Sequence, residues 1–217
     1  MGLRINIGCG QTPTQGWRNF DNSLSLRLSK IPLLPNILKK LGFIEGSQHQ
    51  FIRFASENDI EYGDATKRLP IQDDCVDVLY SSHMLEHLDK SEVEKFLREA
   101  FRVLRPSGII RIAVPDIKRL IAHYNECGDA DAFIERTHLC VPRPRSLAQR
   151  LRLLLVGTRH HQWMYDGNSL SALLQKYGFI NTDVMPVGQT KICDYEPLNL
   201  KEGAPESVYV EAEKPSA

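Results

Sequence analysis

No charge of one sign dominates this chain. Its 27 Lys and Arg residues are matched by 27 Asp and Glu, so no global field draws it to nucleic acid or to an anionic surface. Paired cysteines are missing too: Cys9, Cys75, Cys127, Cys140 and Cys193 are odd in number, scattered, and never spaced C-x-x-C. That argues against a disulfide framework and a cysteine zinc site, and for a reducing compartment. No apolar run reaches bilayer-spanning length. The first strand-like run begins at Leu3, which leaves no room for a secretion signal. A cytoplasmic protein is the expectation, with peripheral membrane contact left open. Repeats and low-complexity segments are absent. At 217 residues the chain suits one domain, 1–217, with a sizeable core.

What is present starts with Leu3-Arg4-Ile5-Asn6-Ile7-Gly8-Cys9-Gly10, an apolar run broken by two glycines one residue apart. A second short run, Asn19-Phe20-Asp21, ends on a carboxylate. A turn without Cβ atoms lets backbone N–H groups approach a nucleoside, and a neighbouring carboxylate accepts from ribose hydroxyls.

Further strands are expected at Ile60–Ala65, Cys75–Ser82 and Ile109–Val114. Between the last two, Val93, Phe96, Leu97, Ala100, Phe101 and Leu104 recur at helical spacing, and Ser91 can cap the start. The link Leu69–Asp74 reads as polar surface. Asp116 begins another helix, and Asn168–Tyr177 is a third, ended by Gly178. Phe179–Val187 and Ser207–Glu213 are the last strands. This alternation predicts an α/β, doubly wound, Rossmann-like fold. Its mostly parallel sheet has about seven strands, with an antiparallel edge strand and helices on both faces.

Two stretches interrupt the pattern, at about 23–58 and 127–161. In the first, Ile37–Ile44 has helical spacing and reads as a crossover helix, a lid or an interfacial helix. In the second, Val141-Pro142-Arg143-Pro144-Arg145 cannot be a helix interior, whereas Leu147–Val156 can. Arg143, Arg145, Arg150, Arg152 and Arg159 fall where no acid occurs from Thr137 through Tyr165. They are a solvated face or a dock for phosphates and anionic headgroups. Together the two stretches would form a lid or substrate-binding region.

The N-I-G-C-G turn (Asn6–Gly10), G-W-x-N-x-D (Gly16–Asp21) and S-S-H-x-L-E-H (Ser81–His87) occur in order. Arg98–Gly108, Val114-Pro115-Asp116 and Tyr177-Gly178-Phe179 continue the series. In these motifs the chain resembles a small branch of the class I S-adenosylmethionine-dependent methyltransferases. The resemblance covers Leu3–Asp21 and Ile60–Ile121 well, the tail loosely, and the two basic insertions not at all. It implies S-adenosyl-L-methionine as cofactor. Gly8, Cys9 and Gly10 would line its methionine and ribose, Asp21 would hold the ribose hydroxyls, Asp64 and Ala65 would flank adenine, and Ser81 would sit beside the sulfonium. Two departures stand out. Asn6 occupies a place where the wider class often has an acid, and Pro106-Ser107-Gly108 replaces Pro-Gly-Gly.

Methyl transfer to a hydroxyl needs a proton acceptor, for which a histidine suits. His83, at the strand end, is the first choice, or else a hydrogen-bonded structural residue. His161, with His160, Trp163 and Tyr165 nearby in sequence, and Asp116 are further candidates; His87 reads as helix packing. The branch resembles proteins of sugar and surface-polysaccharide or glycolipid chemistry, so a sugar or other small hydroxyl acceptor is expected. A small aromatic or natural-product acceptor is the alternative, and a non-catalytic cofactor-binding protein the reading from another class. No nucleic-acid partner is expected. A nicotinamide site would need a third glycine and a later acid. His83–His87 also spells H-x-x-E-H, a zinc-protease signature, but no second helix supplies a carboxylate at a convincing place, so no metal is expected.

Overall fold

The computed structural model describes residues 2–23, 26–27, 31, 40, 46–140 and 160–216. The expected helix at 37–44, residue 40 aside, the helix at 147–156, the segment 141–145 and the five arginines between 143 and 159 lie outside those residues.

Seven strands form one sheet: β1 (Leu3–Ile7), β2 (Arg18–Asp21), β3 (Ile60–Tyr62), β4 (Val76–Ser82), β5 (Leu104–Pro115), β6 (Ile180–Met185) and β7 (Ser207–Glu213). Their spatial order is β3-β2-β1-β4-β5-β7-β6. The first five pair in parallel, while β7 runs against both β5 and β6. The expected antiparallel element is this terminal pair: β7 inserts beside β5 and β6 takes the rim. The described helices are α1 (Gly46–Glu57), α2 (Lys90–Val103), α3 (Ile117–Cys127), α4 (Ala130–Thr137) and α5 (Gly167–Lys176). Among the described residues no helix is long and apolar enough to cross a membrane.

Strand β4 carries almost continuous apolar residues because both of its faces are covered. Helix α2 buries Val93, Phe96, Leu97, Ala100 and Val103 on one stripe, as its spacing dictates. Its cap is Asp89, not Ser91. The Asp89 carboxylate accepts from the amides of Ser91 and Glu92 at 2.7 and 2.9 Å, and Glu92 accepts from the Asp89 amide at 2.9 Å. This reciprocal pair satisfies two kinds of orphan donor at once, which a serine two residues too late cannot do.

Strand β5 begins at Leu104, five residues before the apolar run that announces it. The extra length is a bulge: the register against β4 shifts between Val76 and Val78, and Ser107 takes φ +61°. At Gly108 a Cβ would stand 2.9 Å from the carbonyl oxygens of Arg105 and Val76, so only glycine fits.

The link between β3 and β4 is not plain surface, since Leu69 and Ile71 are buried. Glu99 of α2 accepts from the Leu69 amide at 2.7 Å, and Arg102 donates to Glu99 at 2.8 Å and to the Ile71 carbonyl at 3.0 Å. Burial opposes the charged Glu99, but Arg102 and the Leu69 amide outweigh it and hold the carboxyl below its ordinary value. A lowered folded value means stability that is present above the ordinary carboxylate range and lost as pH falls through the lowered one. Glu99→Gln is therefore expected to destabilise the protein by about 1.5–3 kcal/mol at neutral pH. In acid the loss should shrink towards zero. Melting curves across pH test this; an equal loss at both ends would contradict it.

Candidate active site

Parallel pairing of β1 to β5 gathers their carboxyl ends on one rim of the sheet, where open α/β folds bind ligands. β1 runs into Gly8, β2 ends at Asp21, and β3 leads to Asp64 and Ala65. β4 ends in Ser81 and Ser82, and β5 leads to Asp116.

The turn after β1 needs its glycines. Gly8 and Gly10 have φ +73° and +50°, and a Cβ on Gly8 would meet Met84 Cγ at 2.5 Å. On Gly10 a Cβ would meet nothing within 4 Å, so that side of the turn is open. The Phe20 carbonyl accepts from the amides of Gly8 at 2.8 Å and Cys9 at 3.1 Å, which ties the turn to β2. Asp21 stands directly beside it. Its Oδ2 accepts from the Gly10 amide at 3.1 Å and its Oδ1 from the Ser23 amide at 2.8 Å. Each oxygen keeps lone-pair capacity for a further donor.

Asn6 is buried and turned back on the loop, its Nδ2 donating to the Thr12 carbonyl and Thr14 Oγ1, both at 3.1 Å. The amide where an acid is common thus braces the turn. Cys9 is buried, and burial together with the Asp21 charge pushes its thiol up to about 12. Such a thiol is inert, so what Cys9 offers a ligand is backbone.

Asp64 Oδ1 accepts from the Thr66 amide at 3.0 Å and hydroxyl at 2.7 Å, and Oδ2 pairs with Lys67 at 3.0 Å. Burial raises the Asp64 carboxyl, but these partners outweigh it and hold it below its ordinary value. It is fixed and ionised. Ala65 is buried in the main core, and Ser81 is fully buried with no hydrogen-bond partner for its Oγ among the described residues.

Past β4, His83 takes φ +50° and turns its ring between two groups. Nδ1 lies 3.3 Å from Glu86 Oε1, and Nε2 lies 3.0 Å from Ser207 Oγ. Glu86 raises the His83 pKa, with burial opposing. The S-S-H-x-L-E-H stretch forms no α-helix here: Leu85–His87 is a single 3-10 turn. His161 approaches the same carboxylate, its Nε2 4.0 Å from Glu86 Oε1, and burial is the first reason its pKa is lowered. Asp116 lies on the rim, but its carboxylate caps α3, accepting from the Lys118 amide at 3.0 Å, with Arg119 at 3.7 Å. Trp163 is exposed under the Lys90 ammonium, and Tyr165 is core.

Three residues at this rim have no sequence signal. Glu202, in the connection between β6 and β7, accepts from Thr12 Oγ1 at 2.7 Å and Tyr80 OH at 2.9 Å. It clamps the glycine turn to β4. Ser207 orients His83, and Glu86 is buried behind it. An acid in a long connection or a buried glutamate in a motif read for its histidines gives no period to detect.

The open face of the glycine turn, its amides and the spare lone pairs of Asp21 fit the methionine-and-ribose part of a nucleoside cofactor. A family model described as a methyltransferase domain matches residues 41–112, a third of the chain that spans β3 to β5 but not the glycine turn. No curated protein matches. Among solved structures, the fold is similar to that of a SAM-dependent methyltransferase of Thermotoga maritima described as a possible histamine N-methyltransferase. The TM-score is 0.53 at 15% identity, over 99% of this chain and 83% of that one. A SAM-dependent methyltransferase of Methanosarcina mazei gives 0.51 at 14% identity, over 100% and 93%. Strand order and family match converge on one fold: residues 41–112 match a methyltransferase domain, and the whole sheet is similar in fold to SAM-dependent methyltransferases.

Proposed function

We propose that this chain is an S-adenosylmethionine-dependent methyltransferase that acts on a hydroxyl of a sugar or another small polar acceptor. Gly8, Cys9, Gly10 and Asp21 hold the methionine and ribose, Asp64 and Ala65 flank the adenine, and Ser81 lies nearest the sulfur. The cofactor supplies a methyl group already activated on a sulfonium. This chain's residues align the acceptor, exclude water and accept the hydroxyl proton.

The observation that carries the hydroxyl reading is His83. It follows the tip of β4 with its side chain 35% accessible, backed by the buried Glu86 carboxylate. A carboxylate behind one ring nitrogen fixes the tautomer and strengthens the other as a proton acceptor. Ser207 occupies that other nitrogen in the resting arrangement, so an acceptor hydroxyl takes the place of the serine contact. His161 shares Glu86 and would line the acceptor side; Asp116 would do so only by leaving its cap. An anionic group on the acceptor, such as a sugar phosphate, is supported by sequence: the arginines at 143, 145, 150, 152 and 159 fall in a stretch with no Asp or Glu from Thr137 through Tyr165. The stretches 23–58 and 127–161 would cover the acceptor.

His83→Ala is expected to keep S-adenosylhomocysteine affinity within about threefold of wild type, and to lose 10²–10⁴-fold in turnover, the usual share of a general base. Calorimetry and transfer of labelled methyl to a panel of nucleotide sugars and glycans measure both. Retained turnover would remove His83 from the reaction, and methylation confined to amine acceptors would overturn the hydroxyl assignment.

A further inference from the structure

We propose that Glu86, His87 and His161 form a site for one divalent cation of the zinc class. One ligand atom from each lies within 4.8 Å of the others. Glu86 and His87 stand on the single 3-10 turn after β4, and His161 arrives from a different part of the chain only through folding.

The carboxylate is the reason to expect a ligand. Glu86 is 1% exposed, and neither of its oxygens has a well-directed hydrogen bond among the described residues. Oε1 has ring contacts at 3.3 Å to His83 and 4.0 Å to His161. A buried, unsatisfied carboxylate is costly unless a cation or donors meet it. The main chain around it is tied down independently. The Glu86 carbonyl accepts from the amides of Gln162 at 2.6 Å and Trp163 at 3.2 Å, and the His161 amide donates to the His138 carbonyl at 3.0 Å. His161 is thus delivered to Glu86 by backbone bonds that do not involve its ring.

The histidines are oriented as ligands would be. His87 Nδ1 lies 3.2 Å from the His160 carbonyl, which fixes the proton on Nδ1 and leaves the Nε2 lone pair free. The His87 and His161 rings meet edge to face at 5.0 Å between centroids. Two imidazoles and a carboxylate are a donor set that zinc and its neighbours favour, and they leave a fourth tetrahedral position open. Tetrahedral donors on zinc lie about 3.4 Å apart, so small side-chain rotations close the site. A cation there would neutralise Glu86 and fasten the His160–Trp163 segment to the turn after β4.

The site does not depend on the acceptor reading, because its test needs no methyl transfer. The full chain, freed of any affinity tag and of metal, is titrated with Co²⁺ and with Zn²⁺. Co²⁺ should bind at one equivalent with the intense visible absorption of a tetrahedral site, and Zn²⁺ should displace it. Glu86→Gln keeps the shape of the side chain and should weaken binding more than about 100-fold, beyond the 10–100-fold usual for an outer partner. His161→Ala should do the same, while His123→Ala, outside the cluster, should leave binding unchanged. Circular dichroism confirms that each variant is folded; if His161→Ala is not, Glu86→Gln decides. Absence of saturable binding by wild type would overturn the proposal. So would binding that Glu86→Gln leaves intact.

Discussion

Asp21→Ala is expected to lower affinity for S-adenosylhomocysteine by at least about 100-fold, while the protein stays folded. Two effects add. The carboxylate would accept both ribose hydroxyls, and hydrogen bonds to a charged partner contribute about 1.5–3 kcal/mol each. It also holds the Gly10 amide at 3.1 Å and the Ser23 amide at 2.8 Å, so its loss loosens the glycine turn itself. Asp21→Asn separates the two, since its single oxygen retains one amide contact but loses the charge; an intermediate affinity is expected. Calorimetry reads both variants. Wild-type affinity in Asp21→Ala would remove the ribose assignment.

The second large effect lies away from the ligand. Arg111 of β5 and Glu211 of β7 stand opposite each other in register, at 0% and 1% side-chain exposure and 2.5 Å apart. Arg111 also donates to the carbonyls of Gln189 at 3.0 Å and Leu200 at 3.3 Å, and Glu211 accepts from Thr190 Oγ1 at 2.6 Å and the Lys191 amide at 2.8 Å. This pair organises the connection that carries Glu202 to the glycine turn and leads into Ser207. Removing one partner strands the other charge in the core, so Glu211→Leu should destabilise by about 3–5 kcal/mol. The double variant Arg111→Met/Glu211→Leu should regain much of that loss in urea unfolding, because replacing a buried pair with apolar side chains is often close to neutral. It should still bind cofactor less tightly than wild type, since the Gln189 and Leu200 carbonyls lose their donor. A single variant as stable as wild type would contradict this.

The strands and helices that pack by simple periodicity were legible in the sequence. β4, α2 and β7 announce themselves through apolar residues at strand or helix spacing, and Gly8, Gly10 and Asp21 sit where the strand tips converge. The early start of β5 was not legible, because a bulge at Ser107–Gly108 depends on contacts with Val76 rather than on local pattern. Nor was the capping by Asp89, which competes with Ser91 only two residues away. Glu202 and Ser207 reach the rim because β6 runs the same way as the parallel strands and ends there, and antiparallel β7 starts from it. The association of Glu86 with His161 is likewise tertiary. Local residue types made the glycine turn and Asp21 legible, while Glu202, Ser207 and the Glu86–His161 association depend on connections whose course no period encodes.

The central claim is that the glycine turn and the Asp21 carboxylate together cradle an adenosyl cofactor. A crystal structure of the chain grown with S-adenosylhomocysteine tests it most directly. The account predicts ribose hydroxyls on Asp21, the methionine part along Gly8–Gly10, and the thioether near Ser81 on the side that His83 faces. A nucleoside bound elsewhere, with Asp21 still holding only the amides of Gly10 and Ser23, would contradict it.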